Sequence, residues 1–255
     1  MAENTSKNAI VTGASSGIGA ATVRQLRSNG WNVIAVARRE DRLVQLAQET
    51  GALPFTADVT VSEDIERLHA FASETFKSAG GVDTVINIAG GARGVDSVAH
   101  AKEEDWQWMF QVNVLGTLNV LKAFLPDLRD HGFGTVLNLT STAGHTAYEG
   151  GAGYNAAKFG QHALTGALRL EEAEHNIRVI EVAPGMVHTN EFTVNRLGGN
   201  QEAAEKVYQG VEKPLTAEDV AEVVAYAVGL PHHINLDQIV MRPVAQAAAH
   251  KVIRR

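Results

Sequence analysis

Two side chains spaced four residues apart could carry acid–base chemistry. Tyr154 and Lys158 fall in a stretch with a helical pattern, so both would lie on one face of that helix. A phenol, with a pKa of about 10, is a poor base near neutral pH, but a neighbouring ammonium stabilises the phenolate and lowers that pKa. Tyr154 could then exchange a proton with an alcohol or carbonyl oxygen. Taken alone, the same spacing also describes an ordinary surface pair.

A hydroxyl-rich segment offers a partner for this pair. Ser141 follows a predicted strand and is flanked by Thr140 and Thr142. Open α/β sheets bind ligands at the carboxyl ends of their strands. A hydroxyl there can hydrogen-bond the reacting oxygen and stabilise the charge that develops on it. The residue types alone leave open which of the three hydroxyls does so.

A glycine-rich turn predicts phosphate binding. The segment Thr12–Gly19 follows the first predicted strand and opens the first predicted helix, with the spacing Gly-x-x-x-Gly-x-Gly. Glycines let the backbone approach a pyrophosphate, and the amino terminus of the helix supplies unpaired N–H groups. An ordinary strand-to-helix turn is the alternative. The contacts expected here are Gly13, Ser15, Ser16, Gly17, Ile18 and Gly19.

The end of the second predicted strand indicates which dinucleotide binds. An acidic residue there would bind the ribose 2′-hydroxyl of NAD, whereas this strand ends at Ala37 and continues with Arg38 and Arg39. A guanidinium suits a 2′-phosphate in charge and geometry, so NADP is predicted. The alternative is that both arginines are solvated loop charges, neutralised by Glu40 and Asp41.

Asp58 and Val59, after the third predicted strand, form a further candidate contact. Asp58 could accept a hydrogen bond from the adenine amino group, or it could cap the helix that follows. The sequence leaves both roles open.

The apolar pattern supplies the framework that would bring these residues together. Short, continuously apolar runs, typical of parallel strands covered on both faces, alternate with longer amphipathic stretches. The predicted strands are Ala9–Thr12, Asn32–Ala37, Leu53–Ala57, Thr84–Asn87, Thr135–Thr140, Arg178–Ala183 and Gln238–Met241. The predicted helices are Ile18–Ser28, Arg42–Thr50, Glu63–Ser78, Glu103–Leu128, Ala152–Ala173 and Ala217–Val228. Repeated strand–helix units predict an α/β fold, a Rossmann-type doubly wound parallel sheet of about seven strands.

One segment breaks this regularity. Residues 186–211 follow Pro184-Gly185, between the sixth and seventh predicted strands, and are predicted to form a lid that covers the substrate. A surface excursion without a gating role is the alternative. Because no Pro-rich or Ser-rich linker divides the sequence, residues 1–255 are predicted to form a single domain.

The composition argues against several classes of site. The net charge of −7 disfavours a nucleic-acid or anionic-membrane partner. The absence of cysteine excludes disulfides, thiolate zinc sites and cysteine nucleophiles. The histidines are scattered, and the adjacent His232 and His233 do not make a natural metal face, so no metal is predicted. Without a signal peptide or a long apolar segment, a cytoplasmic location is expected.

Together these residues resemble the short-chain dehydrogenase/reductase family over nearly the whole chain. Besides the glycine-rich turn and Asp58, the likeness includes Asn87-Ile88-Ala89-Gly90, Asn113, Ser141, Tyr154-Asn155-Ala156-Ala157-Lys158 and Pro184-Gly185 with Thr189. The interval from Ser141 to Tyr154 agrees with that of the family and selects Ser141 over its neighbours. Ile88 departs from the family pattern, which implies the loss of a side-chain amide that ties neighbouring strands together.

The resemblance implies a role for each residue. Tyr154 would be the general acid/base, Ser141 would orient the substrate oxygen, and Lys158 would lower the tyrosine pKa and bind the nicotinamide ribose. Asn113 would kink its helix and hold a water that links Lys158 to solvent; a polar residue on an exposed helix face is the alternative. Further NADP contacts are implied at Asn87, Ala89, Gly90, Pro184, Gly185, Val187 and Thr189.

A closer likeness involves the segments Ala37–Leu43, Gly185–Phe192 and Leu230–Pro243. They resemble the NADP-dependent 3-hydroxy acid dehydrogenases, which include serine and allo-threonine dehydrogenases and malonic semialdehyde reductases. The implied reaction is hydride transfer between NADP and a small 3-hydroxy acid such as serine, allo-threonine or 3-hydroxypropionate. A broader carbonyl reductase is the alternative. A non-catalytic NADP-binding regulator is disfavoured because the catalytic set is complete.

A small acid substrate needs a cationic partner. Arg196 and Arg93 are candidates, although each could be a solvated surface arginine. Glu149 could meet an amino or hydroxyl group of the substrate or could be exposed, and His188 could touch the nicotinamide or the substrate.

Two long apolar helices bear on assembly. The family resemblance implies that Glu103–Leu128 and Ala152–Ala173 form a four-helix interface between subunits of a homotetramer. From the sequence alone, either helix could instead belong to the core.

Overall fold

The computed structural model describes residues 7–255, and seven parallel strands form its central sheet. The strands are β1 (Asn8–Thr12), β2 (Asn32–Ala37), β3 (Leu53–Thr56), β4 (Thr84–Asn87), β5 (Gly134–Leu139), β6 (Ile177–Pro184) and β7 (Gln238–Met241). Their order across the sheet is β3-β2-β1-β4-β5-β6-β7. Because the chain winds outward from β1 in one direction and from β4 in the other, a crevice opens between the carboxyl ends of these two strands.

Helices cover both faces of this sheet. They are α1 (Gly17–Ser28), α2 (Glu40–Thr50), α3 (Ser62–Phe76), α4 (Glu103–Phe110), α5 (Gly116–His131), α6 (Ala152–Glu172), α7 (Phe192–Arg196), α8 (Gln201–Tyr208) and α9 (Ala217–Gly229). Buried side chains of α1, α2 and α9 belong to one core cluster, and those of α3, α5 and α6 belong to a second. Two short antiparallel strands, β8 (Gln246–Ala248) and β9 (Lys251–Val252), end the chain.

Strand β1 shows why the predicted strands are apolar throughout. Its side chains alternate between the two layers, so Ala9 and Val11 pack in the first cluster while Ile10 packs in the second. Neither face meets water, and an alternating polar pattern would bury unsatisfied groups. The predicted α/β fold with a doubly wound parallel sheet is confirmed, since all seven predicted strands occur in one sheet.

The predicted helix Glu103–Leu128 is interrupted. A π-helical turn, Gln111–Leu115, separates α4 from α5. Within it, the Asn113 side chain donates to the main-chain oxygen of Met109 at 2.7 Å, and the Asn113 main-chain oxygen accepts from the Thr117 hydroxyl at 2.8 Å. Side chains therefore replace part of the regular helical hydrogen bonding, and this π-helical turn contains Asn113, where the resemblance implies a kink.

Among the residues that the structure describes, no helix is both long enough and apolar enough to span a bilayer.

Candidate active site

A cleft of about 1190 Å³ opens at the carboxyl ends of the strands. The residues predicted to contact a cofactor that line it are Gly13, Ser15, Ser16, Gly17, Ile18, Gly19, Arg38, Arg39, Asp58, Val59, Ala89, Gly90, Tyr154, Lys158, Pro184, Gly185, Val187 and Thr189. The substrate candidates Ser141, Glu149 and Arg196 line it as well, as do Arg93 and His188. The fold therefore gathers residues from all along the sequence at one opening.

Asn87 is the exception among the predicted cofactor contacts. Its side chain is buried, and its amide nitrogen donates to Asn138 Oδ1 at 2.9 Å, while the Asn138 amide donates to Thr165 at 2.9 Å. Strand β4 is covered on both faces, so the Asn87 side chain points into the protein and does not line the cleft. The predicted contact of Asn87 with the cofactor stays a prediction.

The tie between strands is retained despite Ile88. Asn87 and Asn138 join β4 to β5, and the Thr12 hydroxyl, at the end of β1, accepts from the main-chain N–H groups of Ile88 and Ala89, both at 3.1 Å. The expected loss of a strand-tying amide is therefore compensated by neighbouring polar side chains.

The glycine-rich turn packs too closely for larger residues. Gly13 has φ +70°, and a Cβ there would lie 2.8 Å from the Ala89 nitrogen. A Cβ on Gly19 would lie only 2.1 Å from the Gly13 oxygen. The turn thus brings backbone to the floor of the cleft just where α1 begins, and the first N–H groups of α1 have no intrahelical partners. These features fit the pyrophosphate of a dinucleotide.

The arginines after β2 face this turn. Arg39 donates to the hydroxyl of Ser15 at 2.9 Å and to that of Ser16 at 2.8 Å, and it pairs with the carboxylate of Glu191 at 2.9 Å. Hydrogen bonding from Arg39 holds the pKa of Glu191 below its ordinary value. A cluster of guanidinium and hydroxyl donors beside the glycine-rich turn fits a 2′-phosphate, with Glu191 as its internal counter-ion.

Asp58 lies 3.7 Å from Arg38 but does not cap a helix. Its carboxylate accepts from the main-chain N–H of Thr60 at 2.9 Å and from the Thr60 hydroxyl at 2.7 Å, and the N-cap position of α3 is Val61. The capping alternative is therefore wrong, while the possible contact with adenine stays a prediction.

The chemical end of the cleft holds Ser141, Tyr154 and Lys158, all buried. Tyr154 and Lys158 lie in the first two turns of α6, and Ser141 begins a short 3₁₀ turn after β5. Burial raises the pKa of Tyr154, and the neighbouring Tyr148 adds to this, while hydrogen bonding with Ser141 and the charge of Arg196 oppose it. Burial lowers the pKa of Lys158 to about 7, against the opposing charge of Glu181.

These two pKa shifts make Tyr154 difficult to deprotonate near neutral pH. Burial favours the neutral phenol of Tyr154 and weakens the positive charge of Lys158. Deprotonating Tyr154 at such a pH therefore requires more positive charge nearby than the protein supplies. An oxidised nicotinamide would bring that charge, and when bound it would also accept the hydride.

A buried chain of polar groups continues from Lys158. Its ammonium donates to the Leu139 oxygen at 3.1 Å and to Gln161 Oε1 at 2.7 Å, and the Gln161 amide donates to Thr117 at 3.0 Å. The Thr117 hydroxyl then donates to the main-chain oxygen of Asn113. The alternative of an exposed Asn113 is wrong, because this residue is fully buried. It acts from beneath the cleft and does not line it.

The segment 186–211 covers the chemical end. Phe192 packs on the Tyr154 ring with centroids 5.8 Å apart. Arg196 lies 5.7 Å from the same ring and donates to the Gly94 oxygen, the Tyr148 hydroxyl and the Gly150 oxygen at 2.9–3.2 Å. The segment therefore bridges the loops that follow β4 and β5.

The two other substrate candidates differ in their surroundings. Arg93 stacks 4.0 Å from the Trp108 ring and pairs with Asp105 at 3.6 Å, so its charge is already met. Glu149 is exposed at the rim.

Several residues of the site were not predicted. Gln161 is three residues after Lys158, a helical spacing that could have revealed it. Glu181, Glu191 and the chain terminus carry no local signal. Gln246 accepts from the main-chain N–H of Met186 at 2.7 Å, so the end of the chain holds the base of segment 186–211.

Comparison with known proteins agrees with this geometry. Residues 7–197 match the family model described as short chain dehydrogenase. The chain is 37% identical to a serine 3-dehydrogenase of Agrobacterium fabrum, covering 94% of this chain and 95% of the relative. It is also 37% identical to sulfoacetaldehyde reductase 2 of Chromohalobacter salexigens, covering 93% and 94% of the two chains.

A solved structure extends this likeness to three dimensions. The closed form of a serine dehydrogenase complexed with NADP⁺ matches with a TM-score of 0.90 and 34% identity, covering 97% of this chain and 99% of that one. The family match spans most of the chain and includes the glycine-rich turn, Ser141, Tyr154 and Lys158. The chain therefore belongs to the short-chain dehydrogenase family.

Proposed function

We propose that this enzyme uses NADP to interconvert a small 3-hydroxy acid and its 3-oxo partner. The observation that carries the proposal is the position of Arg196, whose guanidinium lies 5.7 Å from the ring of the proton-transferring Tyr154. It places a fixed positive charge within one small molecule's length of the reacting oxygen. A neutral alcohol would not require a cationic side chain at this position.

Arg196 retains capacity for an anion. A guanidinium carries five N–H donors, and three of them are used by Gly94, Tyr148 and Gly150. The two that remain suit a carboxylate, or a sulfonate such as that of sulfoacetaldehyde, after which the Chromohalobacter relative is named. Arg93 is a weaker candidate because Asp105 already neutralises it.

The choice of NADP rests on the residues after β2. Arg39, Ser15 and Ser16 provide several donors in one place, and no acidic side chain ends the strand at Ala37. The NADP⁺ complex of the similar serine dehydrogenase supports this assignment.

Each catalytic side chain has a defined task in this proposal. Tyr154 takes the hydroxyl proton during oxidation and returns it during reduction, Ser141 orients the reacting oxygen, and Lys158 stabilises the phenolate while it holds the ribose. The chain through Gln161 and Thr117 to Asn113 fixes the Lys158 ammonium relative to the π-helical turn, and a water held at Asn113 would return the proton to Lys158 from solvent. The glycine-rich turn, Asp58 and segment 186–211 position the two reactants.

The enzyme is proposed to be a cytoplasmic homotetramer. Large apolar side chains remain exposed on α4 to α6 in the single chain, including Phe110, Leu118, Phe159 and Leu170. Helix surfaces of this kind support the predicted four-helix interface. Size-exclusion chromatography with light scattering measures the assembly directly. Phe159→Lys should dissociate it, whereas a monomeric wild-type protein contradicts the proposal.

Initial rates at 340 nm test the substrate class. The substrates are serine, allo-threonine and 3-hydroxypropionate, with 1,3-propanediol as a neutral analogue of the last and isethionate as its sulfonate analogue, each with NADP and with NAD. Arg196→Gln should raise KM for the anions by about 10- to 100-fold, as expected for a hydrogen-bonded charge pair, and change the diol much less. Arg93→Gln is the matched control.

The outcomes separate the alternatives. Turnover of the diol with no preference for acids supports the broader carbonyl reductase. A preference for isethionate assigns the anion as a sulfonate. Binding of NADPH with no turnover of any alcohol or carbonyl compound would support a non-catalytic regulator and overturn the proposal.

A further inference from the structure

A buried carboxylate lies outside the residues that the mechanism uses. Glu181 is in the middle of β6, beside Asn138 of β5, and is only 1% exposed. Ionising a carboxyl group in such a place is costly unless several donors surround it. An ionised Glu181 therefore requires hydrogen-bond donors around it.

Four side chains meet this carboxylate. Its Oε1 lies 2.6 Å from the Thr140 hydroxyl and 2.8 Å from His145 Nε2, and its Oε2 lies 2.8 Å from His162 Nδ1 and 3.1 Å from the Gln238 amide. Burial opposes ionisation, but these hydrogen bonds together hold the pKa of Glu181 below its ordinary value. Because an ionised carboxylate only accepts, both imidazoles donate to it.

Three of these partners flank the catalytic residues in sequence. Thr140 immediately precedes Ser141, and His145 immediately follows the 3₁₀ turn Thr142–Gly144 that Ser141 begins. His162 is one helical turn beyond Lys158 on α6. One carboxylate thus holds the Ser141 turn at both ends and fixes it to the helix of Tyr154 and Lys158.

The packing of this turn makes the attachment tight. A Cβ on Gly144 would lie 2.6 Å from the main-chain oxygen of Lys158, so turn and helix are in direct backbone contact. Small movements of the turn would therefore change the placement of Ser141 relative to Tyr154.

The charge of Glu181 also acts on Lys158. The groups that face the carboxylate are His145 and His162, whose rings are 4.5 Å apart, together with Thr140 and Gln238. The ammonium of Lys158 has Leu139, Gln161 and the Tyr154 ring around it, and none of these residues carries a carboxylate. The negative charge that favours its protonated form comes from Glu181.

We propose that Glu181 is a positioning residue of the active site: its buried negative charge fixes the Ser141 turn to α6, the helix that carries Tyr154 and Lys158. The inference rests on the proposed roles of Tyr154 and Lys158, but it does not depend on which alcohol is the substrate.

The same side chains could be mistaken for a metal site. His145, His162 and Glu181 offer ligand atoms within 4.8 Å of one another. However, the two carboxylate oxygens already accept hydrogen bonds from four donors. A divalent cation there would also add positive charge in the same buried region as the Lys158 ammonium. Metal binding is therefore an outcome that contradicts the proposal.

The test compares two equally buried glutamates. Glu181→Gln removes the charge but keeps the shape, and Glu172→Gln is the matched control, since Glu172 is also 1% exposed and pairs with Arg129 at the far end of α6. The pH dependence of kcat/KM is measured for any alcohol that the enzyme oxidises. Amide hydrogen exchange of residues 142–146 is measured without substrate.

The sign of the pH effect follows from the charges. Without Glu181, Lys158 loses its proton at a lower pH, the phenolate loses its stabilising ammonium, and the pKa of Tyr154 rises. The acidic limb of the oxidation profile should move upward by about one pH unit, with about a tenfold lower kcat/KM at pH values on that limb. Exchange of residues 142–146 should become faster in Glu181→Gln and stay unchanged in Glu172→Gln.

An acidic limb that stays in place overturns the proposal. If Glu181→Gln does not fold, Thr140→Val is the second variant, because it removes one hydrogen bond to Glu181 and leaves the charge. It should speed amide exchange at residues 142–146 without moving the acidic limb. Unchanged exchange in this variant overturns the proposal. Titration with Co²⁺ after chelation should show no binding, whereas 1:1 binding that is lost in His162→Asn also overturns it. Because amide exchange is measured without turnover, it tests the role of Glu181 even if the proposed substrate class is wrong.

Discussion

The two ends of the cleft are built in different ways. At the chemical end, Ser141 and Lys158 are buried, and Lys158 is held by the main-chain oxygen of Leu139 in β5 and by the Gln161 side chain of α6. At the phosphate end, Arg39 and Glu191 keep 41% and 29% of their side chains exposed, and their pairing joins the protein body to segment 186–211. The catalytic side chains are therefore held in place before any ligand binds. At the phosphate end, a bound 2′-phosphate would have to compete with Glu191 for Arg39.

This difference has a physical origin. Proton transfer needs reacting atoms held within a few tenths of an ångström, which buried hydrogen bonds provide. Cofactor binding needs charges that can exchange one partner for another, which is possible only where water can screen the change. We expect substitutions at the chemical end to lower kcat and those at the phosphate end to change cofactor affinity.

The largest effect is expected from Tyr154→Phe. Loss of the hydroxyl removes the general acid/base, so kcat should fall by about 10³-fold while the affinity for NADPH changes little. Stopped-flow hydride transfer and fluorescence titration with NADPH measure the two quantities. A fall in affinity as large as the fall in kcat would show that the two ends are not separate.

Arg39→Gln should affect the other end. It removes the guanidinium that meets Ser15 and Ser16, so KM for NADP should rise by about 10- to 100-fold with kcat nearly unchanged and KM for NAD within a few-fold of the wild type. Arg38→Gln is the natural control because it shows which arginine dominates. Equal losses with NADP and NAD would mean that Arg39 supports the fold of the turn and not the 2′-phosphate.

Glu191→Gln should give the smallest effect and the opposite sign. The Glu191 carboxylate now occupies Arg39 and lies 3.8 Å from Arg42, so neutralising it frees these cations for the 2′-phosphate. The affinity for NADPH should increase by about two- to fivefold, as for other partly exposed pairs, and that for NADH should stay unchanged. Isothermal titration with both cofactors measures this, and weaker NADPH binding would show that Glu191 assists the site.

Much of the fold was predictable because its signals are local. Each strand is a short apolar run, and each helix begins near a glycine or a polar turn, so the strands and most helix boundaries follow from the sequence. The interruption at Gln111–Leu115 was implied only by the family resemblance, which places a kink at Asn113. Residue types alone did not predict it, because it also involves hydrogen bonds between Asn113 and Gly91 on a different segment.

Local sequence patterns were enough to predict the sheet, the glycine-rich turn and the pairing of Tyr154 with Lys158, because neighbours along a strand or a helix have fixed spacings. Which charged side chains pair with one another depends instead on the fold. Arg39 and Glu191 are separated by 152 positions in the sequence, and Glu181 reaches His145 from another strand. Such pairs produce no periodic pattern in the sequence, because their members come within hydrogen-bonding distance only when the sheet has folded.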